Sequence, residues 1–142
     1  MLFRSFLKSD YLGLDFNHFF LRKAISKGIR VKYFDLHKDT IPEADYVVLQ
    51  RSLYQFENPD AVIRKMLSSA SKQVIISESV QNFESTLIGR VLKPFIPLIV
   101  GTHGKNKAFR YTEKSFRSLM DNYNANYIST KGNRDLIAVI NK

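Results

Sequence analysis

Two apolar runs, Ala44-Asp-Tyr-Val-Val-Leu-Gln50 and Lys72-Gln-Val-Ile-Ile-Ser-Glu78, stand on either side of a helical pattern that opens at Asn58-Pro59. A near-continuous apolar strand is the kind covered on both faces, and two strands joined by a helix pair in parallel. This arrangement restricts the chain to an α/β sheet. Asn58 is the expected cap and Pro59 opens the helix with its fixed φ. Ala61, Val62, Lys65, Met66 and Ser69 then fall at helical spacing, with Leu67 adding to the buried side. The first run is expected inside a parallel sheet.

The same grammar extends to both ends. Tyr11-Leu-Gly-Leu-Asp15 reads as a strand, Asn17 as the cap of a helix over 18–27, and Gly28 as its closing residue before a strand over 30–36. Thr112 caps a helix through residue 123, with Phe116, Leu119 and Met120 on one side. Residues 126–130 and 136–141 flank Lys131-Gly132-Asn133, a turn that makes the last two strands antiparallel. Residues 84–92 have helical potential, and the stretch to Gly104 is expected as an irregular loop. The order is β-α-β-β-α-β-(loop/α)-α-β-β, an α/β, Rossmann-like, mostly parallel sheet with a C-terminal antiparallel hairpin.

A chain of 142 residues fits one domain, 1–142. Zero Cys excludes thiolate metal sites, disulfides and a cysteine nucleophile, and suits a reducing cytoplasm. The stretch 87–100 is interrupted by Arg90, Lys93, Pro94 and Pro97, short of the roughly 20 apolar residues of a membrane span. Residues 1–8 carry charge where an export signal needs an apolar core. Net charge is +9, made of +3 over residues 1–71 and +6 over 72–142. Between Arg90 and Arg117 seven cations face one acid, Glu113, so this segment attracts anions.

In α/β sheets ligands bind beyond the carboxyl ends of the strands. That rule selects Asp15, Phe16 and Asn17; Asp35, Leu36 and His37; Gln50, Arg51 and Ser52; and Glu78 with Ser79. A carboxylate offers two oxygens to vicinal ribose hydroxyls, which makes Asp15 a sugar-binding candidate. Its bland alternative is an acid at a helix entry. Asp35 is placed to accept from an adenine amino group, or else to close a turn before Lys38.

Leu12-Gly-Leu-Asp15-Phe-Asn, Phe34-Asp35-Leu36, the stretch 44–56, Asn58-Pro-Asp-Ala-Val-Ile and Val74-Ile-Ile-Ser-Glu78 follow one another in an order and spacing that resembles the class I S-adenosylmethionine-dependent methyltransferases. The resemblance covers residues 9–141. It implies S-adenosyl-L-methionine as cofactor and methyl transfer to an acceptor, a small molecule by preference. It also implies roles: Asp15, with Phe16, at the ribose; Asp35 and Leu36 at the adenine; Gln50 and Arg51 at the methionine end. Gln55 stands where many members have His. The region 82–110 matches the variable part of the acceptor site. No catalytic acid–base residue is nominated; His37 and His103 are loop histidines.

Members of this family open with a strand and an Asp-x-Gly-x-Gly turn. Here the six glycines are at 13, 28, 89, 101, 104 and 132, none two apart. Two explanations compete, a degenerate protein that lost this turn and a truncated sequence; the expectation is the second, a fragment lacking the first, central strand beside the Asp15 and Asp45 strands, with 3–8 as the end of the following helix. Leu2-Phe3-Arg4-Ser5 is also what CTC TTC CGA TCT encodes, the end of a common sequencing adapter, so residues 1–5 are expected to be a read artefact. Such a fragment is expected to bind cofactor poorly or not at all, to be inactive, and, with unpaired strand edges exposed, to be of low solubility. Two rival readings are a nucleic-acid-binding or RNA-modifying module using segment 90–117, with Phe109, Tyr111 and Phe116 as stacking residues, and a non-catalytic scaffold of the same fold.

Overall fold

The computed structural model describes residues 10–80, 111–130 and 134–142. The expected helix over 84–92, the loop after it, the helix remnant over 3–8 and the turn over 131–133 lie outside the described residues. The chain divides into two compact units, residues 1–41 and 42–142.

In the first unit, β1 (Gly13–Asp15) and β2 (Val31–Tyr33) are joined by α1 (His18–Ile25). They pair in parallel, Gly13 opposite Val31 and Asp15 opposite Tyr33. Asn17 caps α1 as expected, its side chain accepting from the Phe19 N–H at 2.9 Å. Gly28, at φ +70°, turns the chain out of the helix. Gly13 is needed for a different reason: a Cβ there would sit 2.9 Å from Val31 Cγ1, so the β1–β2 approach leaves no room for a side chain. Both strands are shorter than their apolar patterns. The ladder ends where Phe34 N–H donates to the Asp15 carbonyl, because Asp35 then closes its own turn with Lys38 and Asp39.

The second unit is a four-stranded sheet in the order β3-β4-β6-β5, made of β3 (Ala44–Gln50), β4 (Ala70–Ser79), β5 (Asn126–Ser129) and β6 (Asp135–Asn141). β3 and β4 are parallel, and β6 runs antiparallel to both β4 and β5. The α/β class, the parallel pairs and the antiparallel terminal hairpin match the sequence reading. α2 (Pro59–Ser69) begins at the Asn58 cap, whose Oδ1 accepts from Ala61 N–H at 3.1 Å. α3 (Glu113–Asp121) begins with a reciprocal capping box between Thr112 and Ser115. Two tyrosines tie the helices down: Tyr123 donates to Asp60 of α2, and Tyr127 to Asp121 and the Arg117 carbonyl.

The core of this unit holds Leu53, Ile63, Met66, Val74, Ile76, Phe116, Met120, Leu136 and Ala138, all at most 2% exposed. Each such large side chain contributes about 1.5–3 kcal/mol. On α2 the buried face is Val62, Ile63, Met66 and Ser69, so Ile63 takes the place expected for Ala61, which is exposed. A one-residue rotation of the apolar stripe brings in the larger side chain.

The first apolar run forms β3 over the expected residues. β3 has a neighbour on one side only, β4, among the described residues, and Tyr46 and Val48 are 54% and 59% exposed. An apolar composition suited to two covered faces is present without that cover. No helix among the described residues is long and apolar enough to cross a membrane.

Candidate functional site

Asp15 and Asp35 both emerge at the carboxyl end of the β1–β2 pair. The ladder aligns Asp15 with Tyr33, and the next bond, from Phe34 N–H to the Asp15 carbonyl at 3.0 Å, places Asp35 one residue beyond. Asp15 Oδ1 accepts from Asn17 N–H at 2.7 Å, which fixes the carboxylate at the entrance of α1. That is the helix-entry role read as its bland alternative, and it uses one oxygen. Oδ2 has no bonding partner among the described residues.

Asp35 is more fully engaged. Its Oδ1 accepts from His37 N–H at 3.0 Å, and Lys38 Nζ lies 3.5 Å from Oδ2. The His37 N–H bond, reinforced by the Lys38 charge, holds its pKa below the usual aspartate value. The group is thus an ionised acceptor throughout the neutral range. Phe16 is 63% exposed and Leu36 half-buried. Sequence reasoning missed one feature here: His18 of α1 stacks on Tyr33 of β2, ring centres 5.0 Å apart and 15° from parallel. A His opening a helix and a Tyr ending the next strand were its only signal.

In the second unit, Gln50 and Arg51 end β3. Gln50 is exposed, and Ser52 Oγ donates to its carbonyl. Arg51 adopts φ +50°, a left-handed conformation uncommon for a residue with a Cβ, while its N–H donates to the Ser77 carbonyl at 2.7 Å. Its guanidinium pairs with Asp135 Oδ2 at 2.5 Å, which raises the arginine pKa. Asp135 Oδ1 is buried without a hydrogen-bond partner among the described residues.

Glu78, at the end of β4, is 2% exposed. Its Oε1 accepts from Leu53 N–H at 2.6 Å, and the Ser52 and Tyr54 N–H groups also face the carboxyl. Burial pushes its pKa up, and these three donors offset part of the shift. The sequence reading placed Glu78 at a strand end without a role; an acid terminating an apolar strand was the available signal. Around it lies a cavity of about 130 Å3, lined among the described residues by Arg51, Tyr54, Glu78, Ser79 and Arg134.

The stacking residues of the nucleic-acid reading do not form a free surface. Phe116 is fully buried, Tyr111 is 7% exposed, and their rings meet edge to face at 5.7 Å. Burial also pushes the Tyr111 phenol up to about 12. Phe109 and His103 lie outside the described residues.

No protein-family model and no curated protein matches the sequence. Solved structures do. A magnesium protoporphyrin IX methyltransferase from Synechocystis, solved with bound S-adenosylhomocysteine, aligns over 92% of this chain and 63% of its own, at 21% identity and a TM-score of 0.60. An O-methyltransferase family 2 protein from Planctomyces limnophilus, in complex with apigenin, aligns over 96% of this chain and 45% of its own, at 15% identity and a TM-score of 0.62. A methyltransferase from Thermotoga maritima, described as S-adenosylmethionine-dependent, aligns over 90% and 70%, at 8% identity and a TM-score of 0.61. The chain thus spans about three-fifths of the length of the first of these. The strand order, the terminal hairpin and these alignments agree, and the chain has the fold of the class I S-adenosylmethionine-dependent methyltransferases.

Proposed function

We propose that residues 1–142 form one methyltransferase-like domain, partial at the cofactor turn, of a protein that uses S-adenosyl-L-methionine to methylate a small-molecule acceptor in the cytoplasm, the 142-residue chain by itself being inactive. The observation that carries this reading is the pairing of Asp15 and Asp35 at one strand end, with Asp15 Oδ2 unused and Asp35 ionised. Those are the acceptors that a ribose and an aminopurine require. Neighbours of this fold were solved with S-adenosylmethionine or S-adenosylhomocysteine bound, which supports the same cofactor.

In this reading Asp15 holds the sugar hydroxyls, with Phe16 beside it, and Asp35 and Leu36 hold the base. Gln50 and Arg51 line the methionine end. When bound, the sulfonium supplies an already activated methyl group. The protein's task is to position the acceptor in line with it, and orientation of this kind is worth about 7–11 kcal/mol. The methionine end fits less well than the nucleoside end, because no two of the six glycines are spaced as a Gly-x-Gly turn. Binding by this chain is accordingly weak.

The test is titration of the 142-residue chain with S-adenosylhomocysteine, followed by amide NMR. Saturable shifts at Asp15, Phe16 and Asp35 are expected, with a dissociation constant of about 1 mM. Asp15→Ala should weaken binding at least tenfold. Absence of saturable shifts at these residues overturns the assignment, and submicromolar affinity overturns the role given to the missing glycine turn.

A further inference from the structure

The cavity beside Glu78 has an unbalanced set of polar groups. Arg51 is already committed to Asp135. Glu78 is turned to the N–H groups of Ser52, Leu53 and Tyr54. Ser79 Oγ donates to the Arg134 carbonyl, a long bond at 3.4 Å. Tyr54 OH accepts from Gln55 Nε2 at 3.5 Å, which leaves its proton unspent. Arg134 also lines the cavity, its carbonyl accepting from Ser79 Oγ and Val80 N–H, and its exposed side chain has no acceptor among the described residues and is within reach of the opening. What the lining still offers is therefore hydrogen-bond donors, and one of them is charged.

We propose that this cavity binds an oxyanion, a carboxylate or phosphate group carried by the methyl acceptor, with Arg134 as its cation and Tyr54 OH as a neutral donor. Arginine presents a planar fork matched to both anions. The volume, about 130 Å3 within the described residues, has room for a carboxylate or phosphate group carried by a larger molecule. The position is also consistent: Arg51 and Ser79 stand at the carboxyl ends of two adjacent parallel strands, β3 and β4, where α/β sheets receive ligands. The net charge of +9 draws anions toward the chain from a distance. Describing the anion as part of a methyl acceptor rests on the function proposed above; the pocket itself does not.

The experiment uses the full chain labelled with 15N-arginine. It is titrated with inorganic phosphate in one arm and sodium acetate in the other, at constant ionic strength. The Arg134 Nε–Hε signal is expected to move saturably with at least one anion, while Arg51, held by Asp135, moves little. The arm that saturates at lower concentration identifies phosphate or carboxylate as the natural group. Arg134→Gln should weaken binding at least tenfold and Tyr54→Phe severalfold, with β6 amide signals unchanged to show that the fold persists. A response that stays linear with both anions, or one that survives Arg134→Gln, overturns the proposal. S-adenosylhomocysteine is titrated into the same sample. Anion binding without nucleoside binding keeps the pocket and removes the methyl-transfer reading, whereas the reverse removes only the pocket.

Discussion

The N–H of Phe34 donates to the carbonyl oxygen of Asp15 at 3.0 Å. This one bond, the last of the β1–β2 ladder, brings an acid of one strand to the end of the next, where Asp35 follows immediately. Asp15 then divides its labour. One oxygen accepts from Asn17 N–H at the entrance of α1, and the other has no partner among the described residues. Asp15→Asn should preserve the Oδ1 bond to Asn17 N–H and change stability by less than about 0.5 kcal/mol. It should nevertheless weaken nucleoside binding, because a neutral amide presents one acceptor in place of two. Urea unfolding together with the S-adenosylhomocysteine titration separates the two effects; equal losses in both would mean that Asp15 is structural only.

Glu78 links the end of β4 to the turn after β3. Glu78→Ala leaves the buried Leu53 N–H without an acceptor and should cost about 1–3 kcal/mol. Glu78→Gln keeps an acceptor and should cost less. The pH dependence has a definite sign. Burial raises the folded pKa of Glu78 above its ordinary 4.5, so the folded chain binds the proton more tightly than the unfolded chain does. The stabilisation from this group is complete below 4.5 and is lost as pH rises through the folded pKa. Urea midpoints of wild type and Glu78→Gln should diverge in favour of wild type as pH falls from 8 to about 5. A constant difference would show that burial does not govern this carboxyl.

Gly28 and Phe116 test two different sources of stability. A Cβ on Gly28 meets nothing within 4 Å, so Gly28→Ala carries only the penalty of φ +70° in a residue with a side chain, about 1–2 kcal/mol. Phe116→Ala empties the core and should cost about 3–5 kcal/mol. Retention on immobilised RNA should not depend on stacking by Phe116 or Tyr111, since both rings are enclosed. Denaturation midpoints and salt elution read these outcomes directly.

Among the described residues the outer edge of β3 is open, which predicts pairing between copies through it. Tyr46 and Val48 are more than half exposed on a strand paired only with β4 among the described residues. Such an edge recruits other strands. Val48→Lys should raise the monomer fraction seen by light scattering without lowering the unfolding midpoint. An unchanged monomer fraction would show that this edge does not drive association.

The local elements were legible in the sequence because their signals are short-range. Asn17, Asn58 and Thr112 cap helices through bonds to residues two or three positions ahead, Gly28 turns the chain by its own backbone freedom, and β3 spans the residues its composition marks out. The strand-end rule likewise located Asp15, Asp35, Gln50 and Arg51, since each directly follows or ends an apolar run. Tertiary structure decided the rest. That β3 has β4 as its one neighbour among the described residues depends on which strands are there to pair with it. That Arg51 is spent on Asp135, 84 residues away, depends on β6 folding back beside β4. That Glu78 anchors a turn 25 residues earlier depends on the parallel register of β3 and β4. Hydrogen bonds and burial act over a few ångströms in space with no regard to distance along the chain, so a residue's type announces what it can bond, and only the fold settles what it meets.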